Sequence, residues 1–141
     1  MCDSEGRNLV QLTSFGSGYA ASPRWSPDGK QIAFGFRGTS EAEIYVVSAE
    51  GGGARRVMTE GSDAGVPSWS QDGTYIYFTS QRGGDQQVWK VLAEGGTSVQ
   101  VTKQGGLTAF ESADGKHLYY SKGSAGRGVW GVPVGGGEES I

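Results

Sequence analysis

Ser26-Pro27-Asp28-Gly29-Lys30-Gln31-Ile32-Ala33-Phe34 decides the reading of this chain. It returns as Ser70-Gln71-Asp72-Gly73-Thr74-Tyr75-Ile76-Tyr77-Phe78 and again as Ser112-Ala113-Asp114-Gly115-Lys116-His117-Leu118-Tyr119-Tyr120. The Asp-Gly pairs lie 44 and then 42 residues apart, a period that marks a repeat architecture. Other landmarks keep step. Ile44-Tyr45-Val46-Val47 corresponds to Val88-Trp89-Lys90-Val91 and to Val129-Trp130-Gly131-Val132, and glycine pairs follow at Gly51-Gly52, Gly95-Gly96 and Gly135-Gly136. Segments ending in Thr59 and Thr102 come next, and Thr13 ends a further copy before the first full repeat.

Each repeat reads as four short strands. The first ends in the Asp-Gly turn, where Asp bonds its own following backbone and Gly accepts a positive φ. A second strand of apolar and aromatic residues follows, then a polar loop, a third strand, the Gly-Gly turn and a fourth strand. No segment carries a helical period with caps, so the chain is predicted to be all-β. Four antiparallel strands in about 43 residues make one blade of a β-propeller. The predicted division is an outer strand and loop over 1–19, blade one over 20–60, blade two over 61–104, and blade three over 105–141 without its outer strand.

The pattern Pro23-Arg24-Trp25-Ser26-Pro27-Asp28-Gly29, repeated as Pro67-Ser68-Trp69-Ser70-Gln71-Asp72-Gly73, resembles the TolB-like, WD-like propeller repeat of bacterial proteins. The resemblance covers nearly the whole chain. Blade three departs from it, with Phe110-Glu111-Ser112-Ala113 where the tryptophan pattern belongs. The resemblance implies a six-bladed ring and, if it extends that far, a bacterial periplasmic location. It specifies fold more than function, because such repeats occur in the Tol–Pal envelope system, in sensor domains of regulators and kinases, and beside peptidase domains.

With strands lettered a to d from the ring axis outward, Asn8-Leu9-Val10-Gln11-Leu12-Thr13 reads as a d strand with nothing before it, and the chain ends after a c strand at Val129–Val134. The tally is d, abcd, abcd, abc. Three blades cannot close a ring, since propellers have typically 4–8. The expectation is therefore a homodimer: Leu9, Val10 and Leu12 complete the last blade of a second copy, and two chains close six blades about a twofold axis. Met1-Cys2-Asp3-Ser4-Glu5-Gly6 reads as the tail of a c strand and its turn, so the chain is also read as a segment cut from a longer protein.

Composition narrows function by exclusion. The net charge is −3 with a pI near 5.1 and scattered positive residues, so no nucleic-acid footprint is expected. Cys2 is the one cysteine and His117 the one histidine, too few for an intrachain disulfide or a zinc set. No apolar run reaches the roughly 18–20 residues that span a bilayer, and Met1–Glu5 does not read as a leader. Nucleophile-elbow, phosphate-loop and dinucleotide motifs are missing from the sequence, and His117 reads as an exposed strand residue. No catalytic residue and no cofactor are predicted.

Function is predicted to reside on loops. The b–c and d–a loops share one end of the ring, and Phe15, Tyr19, Arg37, Asp63, Arg82, Asp85 and Arg127 are its candidate binding residues for another protein or a peptide. Trp25 and Trp69 are expected to pack between blades, and Asp28, Asp72 and Asp114 to form turns rather than bind calcium. Glu111 is the weak candidate for a cation in the channel. The chain is thus predicted to be a non-enzymatic binding scaffold that self-associates. The alternatives are the propeller of a larger prolyl-oligopeptidase-like peptidase and that of a bacterial sensor or transcription regulator.

Overall fold

The fold starts from a turn repeated three times. The Ser26 hydroxyl donates to Asp28 Oδ1 at 2.6 Å, the same oxygen accepts Lys30 N–H at 3.0 Å, and Gln31 N–H donates back to Ser26 Oγ at 2.9 Å. Ser70, Asp72, Thr74 and Tyr75 repeat the set at 2.7, 2.9 and 2.8 Å. Ser112, Asp114, Lys116 and His117 do so at 2.6, 3.1 and 3.0 Å. Gly29, Gly73 and Gly115 take φ of 69°, 73° and 68°, the left-handed conformation that glycine adopts without a Cβ penalty. The donated serine hydroxyl, and after it the backbone N–H, holds each aspartate below the ordinary 3.8. A folded-state pKa below the unfolded one contributes stability above the unfolded value that is lost as pH falls through the lowered one. Melting temperature should therefore drop as pH falls from 5 toward 2, and a D28N/D72N/D114N variant should lose part of that slope, because asparagine keeps the acceptor without the charge.

The computed structural model describes residues 1–58, 63–123 and 128–138. Among them the strands are β1 (Tyr19–Trp25), β2 (Gln31–Arg37), β3 (Ala42–Ser48), β4 (Arg55–Arg56), β5 (Gly65–Trp69), β6 (Tyr75–Ser80), β7 (Gln87–Leu92), β8 (Val99–Gln100), β9 (Ala109–Glu111), β10 (His117–Ser121) and β11 (Val129–Pro133). They form antiparallel sheets in the orders β1-β2-β3-β4, β5-β6-β7-β8 and β9-β10-β11. Among the described residues these make two four-stranded blades and a three-stranded one, and no helix there is long and apolar enough to cross a membrane.

Period-2 alternation assigns each strand's side chains to one of two faces, and neighbouring blades pack through them. Ala33, Ile44 and Val46 of the first blade meet Trp69, Ile76, Phe78 and Val91 of the second, with Val57 and Met58 filling the outer edge. Tyr77 and Val88 on the second blade's other face meet Ala109, Leu118, Tyr120 and Val132 of the third. Polar groups stitch the same seams. Ala64 N–H donates to Ala42 O at 2.7 Å, Gly106 N–H to Gln86 O at 2.9 Å, and the Trp69 indole to Arg24 O at 3.0 Å. The threonine that ends the fourth-strand segment has a role too. Buried Thr102 accepts Val88 N–H at 2.9 Å and donates to Gln87 Oε1 at 2.8 Å, pinning the outer strand to the third.

Two inner strands carry a bulge. Ser22 and Pro23 together face Phe34, since Ala21 pairs with Gly35 and Arg24 with Ala33. Val66 and Pro67 likewise face Phe78 between the pairs Gly65–Thr79 and Ser68–Tyr77. Proline has no N–H to give the ladder, so it sits where pairing is interrupted. Ser22 and Val66 take φ of 53° and 48°, a conformation that is strained for any side chain and most of all for β-branched valine. In β9 alanine replaces the proline, and the register runs unbroken from Ala109–Tyr120 to Glu111–Leu118.

The amino-terminal segment, expected to be the outer strand of a second copy's blade, has no such partner in the single chain. No strand forms over residues 8–13 in the single chain. Instead the Met1 amino group and Val10 O, and Val10 N–H and Met1 O, pair at 2.7 Å, around a turn in which Gly6 N–H donates to Asp3 O. That turn matches the one closed by Gly51 N–H on Ser48 O and Gly95 N–H on Leu92 O. Residues 1–10 thus form a turn closed by the Met1–Val10 pair. Leu9 and Val10 stay exposed, while Leu12 and Phe15 pack on the first blade against Ile32, Phe34 and Val47.

Candidate functional site

The bulged floor and the loops beside it form a cleft of about 230 Å³ at one end of the junction between the first two blades. Tyr19 and Arg37 face each other as the first pair of the β1–β2 ladder, which puts both at the rim. Asp63 precedes β5 at a φ of 47° and ion-pairs with Arg37. That hydrogen bond, and then the carboxylate charge, raises the pKa of Arg37. Gln81 and Gln86 bound the cleft from the loop between β6 and β7, and Ser22 and Val66 line its floor.

Of the predicted binding residues, the structure brings together Tyr19, Arg37 and Asp63. The others go elsewhere. Phe15 stacks on Phe36 at 3.9 Å and meets Phe34 and Tyr45 edge-on, so it is packing rather than surface. Arg82 lies across the Trp89 ring at 4.2 Å and donates to Ser98 Oγ at 2.6 Å. Asp85 borders a separate hollow with Lys122 and Gln104 between the second and third blades. Arg127 lies outside the described residues. Gln81 falls on a loop of the predicted binding face, whereas Gln86 and the bulged strands were missed by sequence reasoning. Their signal was the pair Ser22-Pro23 and Val66-Pro67, a proline at the same repeat position inside a predicted strand.

Glu111 faces the second blade. Its Oε1 accepts the Tyr77 hydroxyl at 2.5 Å and its Oε2 accepts Gln71 N–H at 2.8 Å, so both oxygens are engaged by the second blade. The described residues hold no group of three or more potential metal ligands. At the preceding seam the corresponding position is Trp69, whose indole fits over Ala33; here Tyr77 replaces Ala33 and fills the space the indole would take. Burial first, then the Glu111 hydrogen bond and charge, push the Tyr77 phenol upward.

Trp25 stands at an uncovered face in the single chain. It is 52% exposed where its repeat partner Trp69 is 9%, because no blade covers that side of the first sheet. The third blade mirrors this at the other end. Val129 is 63% exposed, whereas the corresponding Ile44 and Val88 are 0%; Tyr119 is 47% exposed, whereas Ala33 and Tyr77 are 0% and 1%.

Residues 3–134 match the TolB beta propeller domain. The chain belongs to the TolB β-propeller family. It is 36% identical over 55 residues, 39% of its length, to the Tol-Pal system protein TolB of Syntrophus aciditrophicus. The structure of TolB from Acinetobacter baumannii superposes with a TM-score of 0.79 over 98% of the chain at 26% identity. A prolyl endopeptidase structure superposes with a TM-score of 0.66 over 90% of the chain at 19% identity, a likeness of fold alone. The TolB-family chain described here spans 35% of the Acinetobacter structure, and its match covers 12% of the Syntrophus protein.

Proposed function

We propose that this chain is a non-catalytic binding module that works as half of a propeller ring, completed by a second copy of itself. The observation that carries the reading is the contrast between equivalent residues: positions sealed at both internal seams lie open at the two ends. Apolar side chains make up most of each seam, so covering these ends follows the same driving force that holds the blades together. The module would act as a scaffold for loop-face contacts, in the periplasm if the TolB resemblance extends to location.

A second reading has its own support. Met1 already pairs with Val10 on the edge that the partner's β11 would need. Under that reading the missing blades come from a longer chain. Light scattering coupled to size exclusion separates the two. A mass of twice 14.8 kDa is expected for the ring of two copies, and a monomer at every concentration overturns it in favour of closure within a longer protein.

A further inference from the structure

We propose that the cleft between the first two blades binds one pyranose ring of a neutral saccharide. Every residue involved belongs to a single chain, so this inference stands apart from ring closure.

The charge pattern selects the ligand class. Arg37 and Asp63 neutralise each other, and their side chains remain 41% and 40% exposed. An ionic ligand would be attracted by one and repelled by the other. Two neighbouring hydroxyls suit both, one donating to the carboxylate and the next accepting from the guanidinium. Gln81 and Gln86, from the second blade, add two side-chain amides that each donate and accept. Tyr19 is 61% exposed at the rim, which leaves its ring as an apolar platform for the C–H face of a sugar.

Shape argues the same way. The volume of about 230 Å³ lies below the roughly 300–1,000 Å³ of pockets for drug-sized ligands, and accommodates a single ring. An extended peptide binds by adding a strand to a continuous edge, but here the floor is bulged at Ser22 and Val66, so the ladder it would copy is interrupted. The strained backbone at those two positions holds the floor in one conformation, and strain of this kind clusters at ligand-binding sites.

The test is an amide-resolved NMR titration of the full chain with methyl α-D-glucopyranoside, methyl β-D-galactopyranoside and N-acetylglucosamine. Saturable shifts are expected with at least one sugar, in the millimolar range, at Tyr19, Ser22, Arg37, Asp63 and the side-chain amides of Gln81 and Gln86. Tyr19→Ala and Asp63→Asn should each weaken binding about tenfold, equal to about 1.4 kcal/mol, with the rest of the spectrum unchanged. Tyr19 is exposed, and Gln81→Ala serves as the second contact variant should either alter the fold. No shift with all three sugars, shifts centred elsewhere, shifts indifferent to these substitutions, or the same amides responding to tetraalanine and not to sugar would each overturn the proposal. A light-scattering mass on the same samples reports ring closure separately.

Discussion

Val129→Glu is expected to hold the protein as a monomer of 14.8 kDa at concentrations where the parent chain associates, without lowering the stability of the single half-ring. Val129 stands at the position of Ile44 and Val88, both sealed from solvent, yet is 63% exposed in the single chain. A carboxylate there is hydrated in the monomer and loses its water only when a blade covers it. Burying an unpaired charge costs several kcal/mol, so association should weaken by more than about 100-fold, equivalent to about 2.7 kcal/mol. Light scattering reads the mass and thermal unfolding the intact fold. A variant that still assembles like the parent would remove Val129 from the interface and the second copy with it.

The closing seam differs from the internal ones in a way that sharpens the test. At the first seam small Ala33 receives bulky Trp69, and at the second bulky Tyr77 receives Glu111. Closing the ring brings Trp25 to Tyr119, large against large, with Gly131 where the other blades carry Val46 and Lys90. Glycine gives the room that two aromatic rings need. Tyr119→Ala would recreate the Ala33 and Trp69 combination, so it should preserve association where Val129→Glu abolishes it.

The blades were legible in the sequence because their signals are local: an Asp-Gly turn bonds within five residues, and period-2 alternation needs no partner to be seen. The seams were legible only by analogy. Trp25 and Trp69 share the pattern Pro-x-Trp-Ser, and nothing in it reports that Trp69 is covered and Trp25 is not. The partners of Glu111 were hidden for a related reason. Tyr77 and Gln71 are 34 and 40 residues away, and the compensating change from Ala33 to Tyr77 shows only when the repeats are aligned by blade face. The cleft was half visible, since the sequence puts Tyr19, Arg37 and Asp63 at one end of the ring, but its glutamines and its bulged floor depend on how two blades meet.

Glu111→Ala should destabilise the folded chain by about 3 kcal/mol, since hydrogen bonds to a charged group are worth about 1.5–3 kcal/mol each and two are lost. For a domain of this size that is a fall of roughly 10 °C in melting temperature. The larger part arises at Tyr77, which is 1% exposed and would keep its hydroxyl inside without its acceptor. Tyr77→Phe in the Glu111→Ala background should recover part of the loss, because removing both partners of a buried bond costs less than removing one. The stronger check is Tyr77→Ala with Glu111→Trp, which transplants the first seam's pair into the second. Each change alone creates a cavity or a clash, whereas together they should show a favourable coupling of 1 kcal/mol or more, within the range of about 0.5–3 kcal/mol for contacting residues. The phenol supplies an independent readout. Its folded pKa is raised, so its contribution is complete below the ordinary tyrosine value of about 10 and is lost as pH rises further. Tyr77→Phe should therefore lessen alkaline destabilisation, and a cycle that is additive with an unchanged alkaline limb would mean that Glu111 and Tyr77 do not hold the third blade to the second.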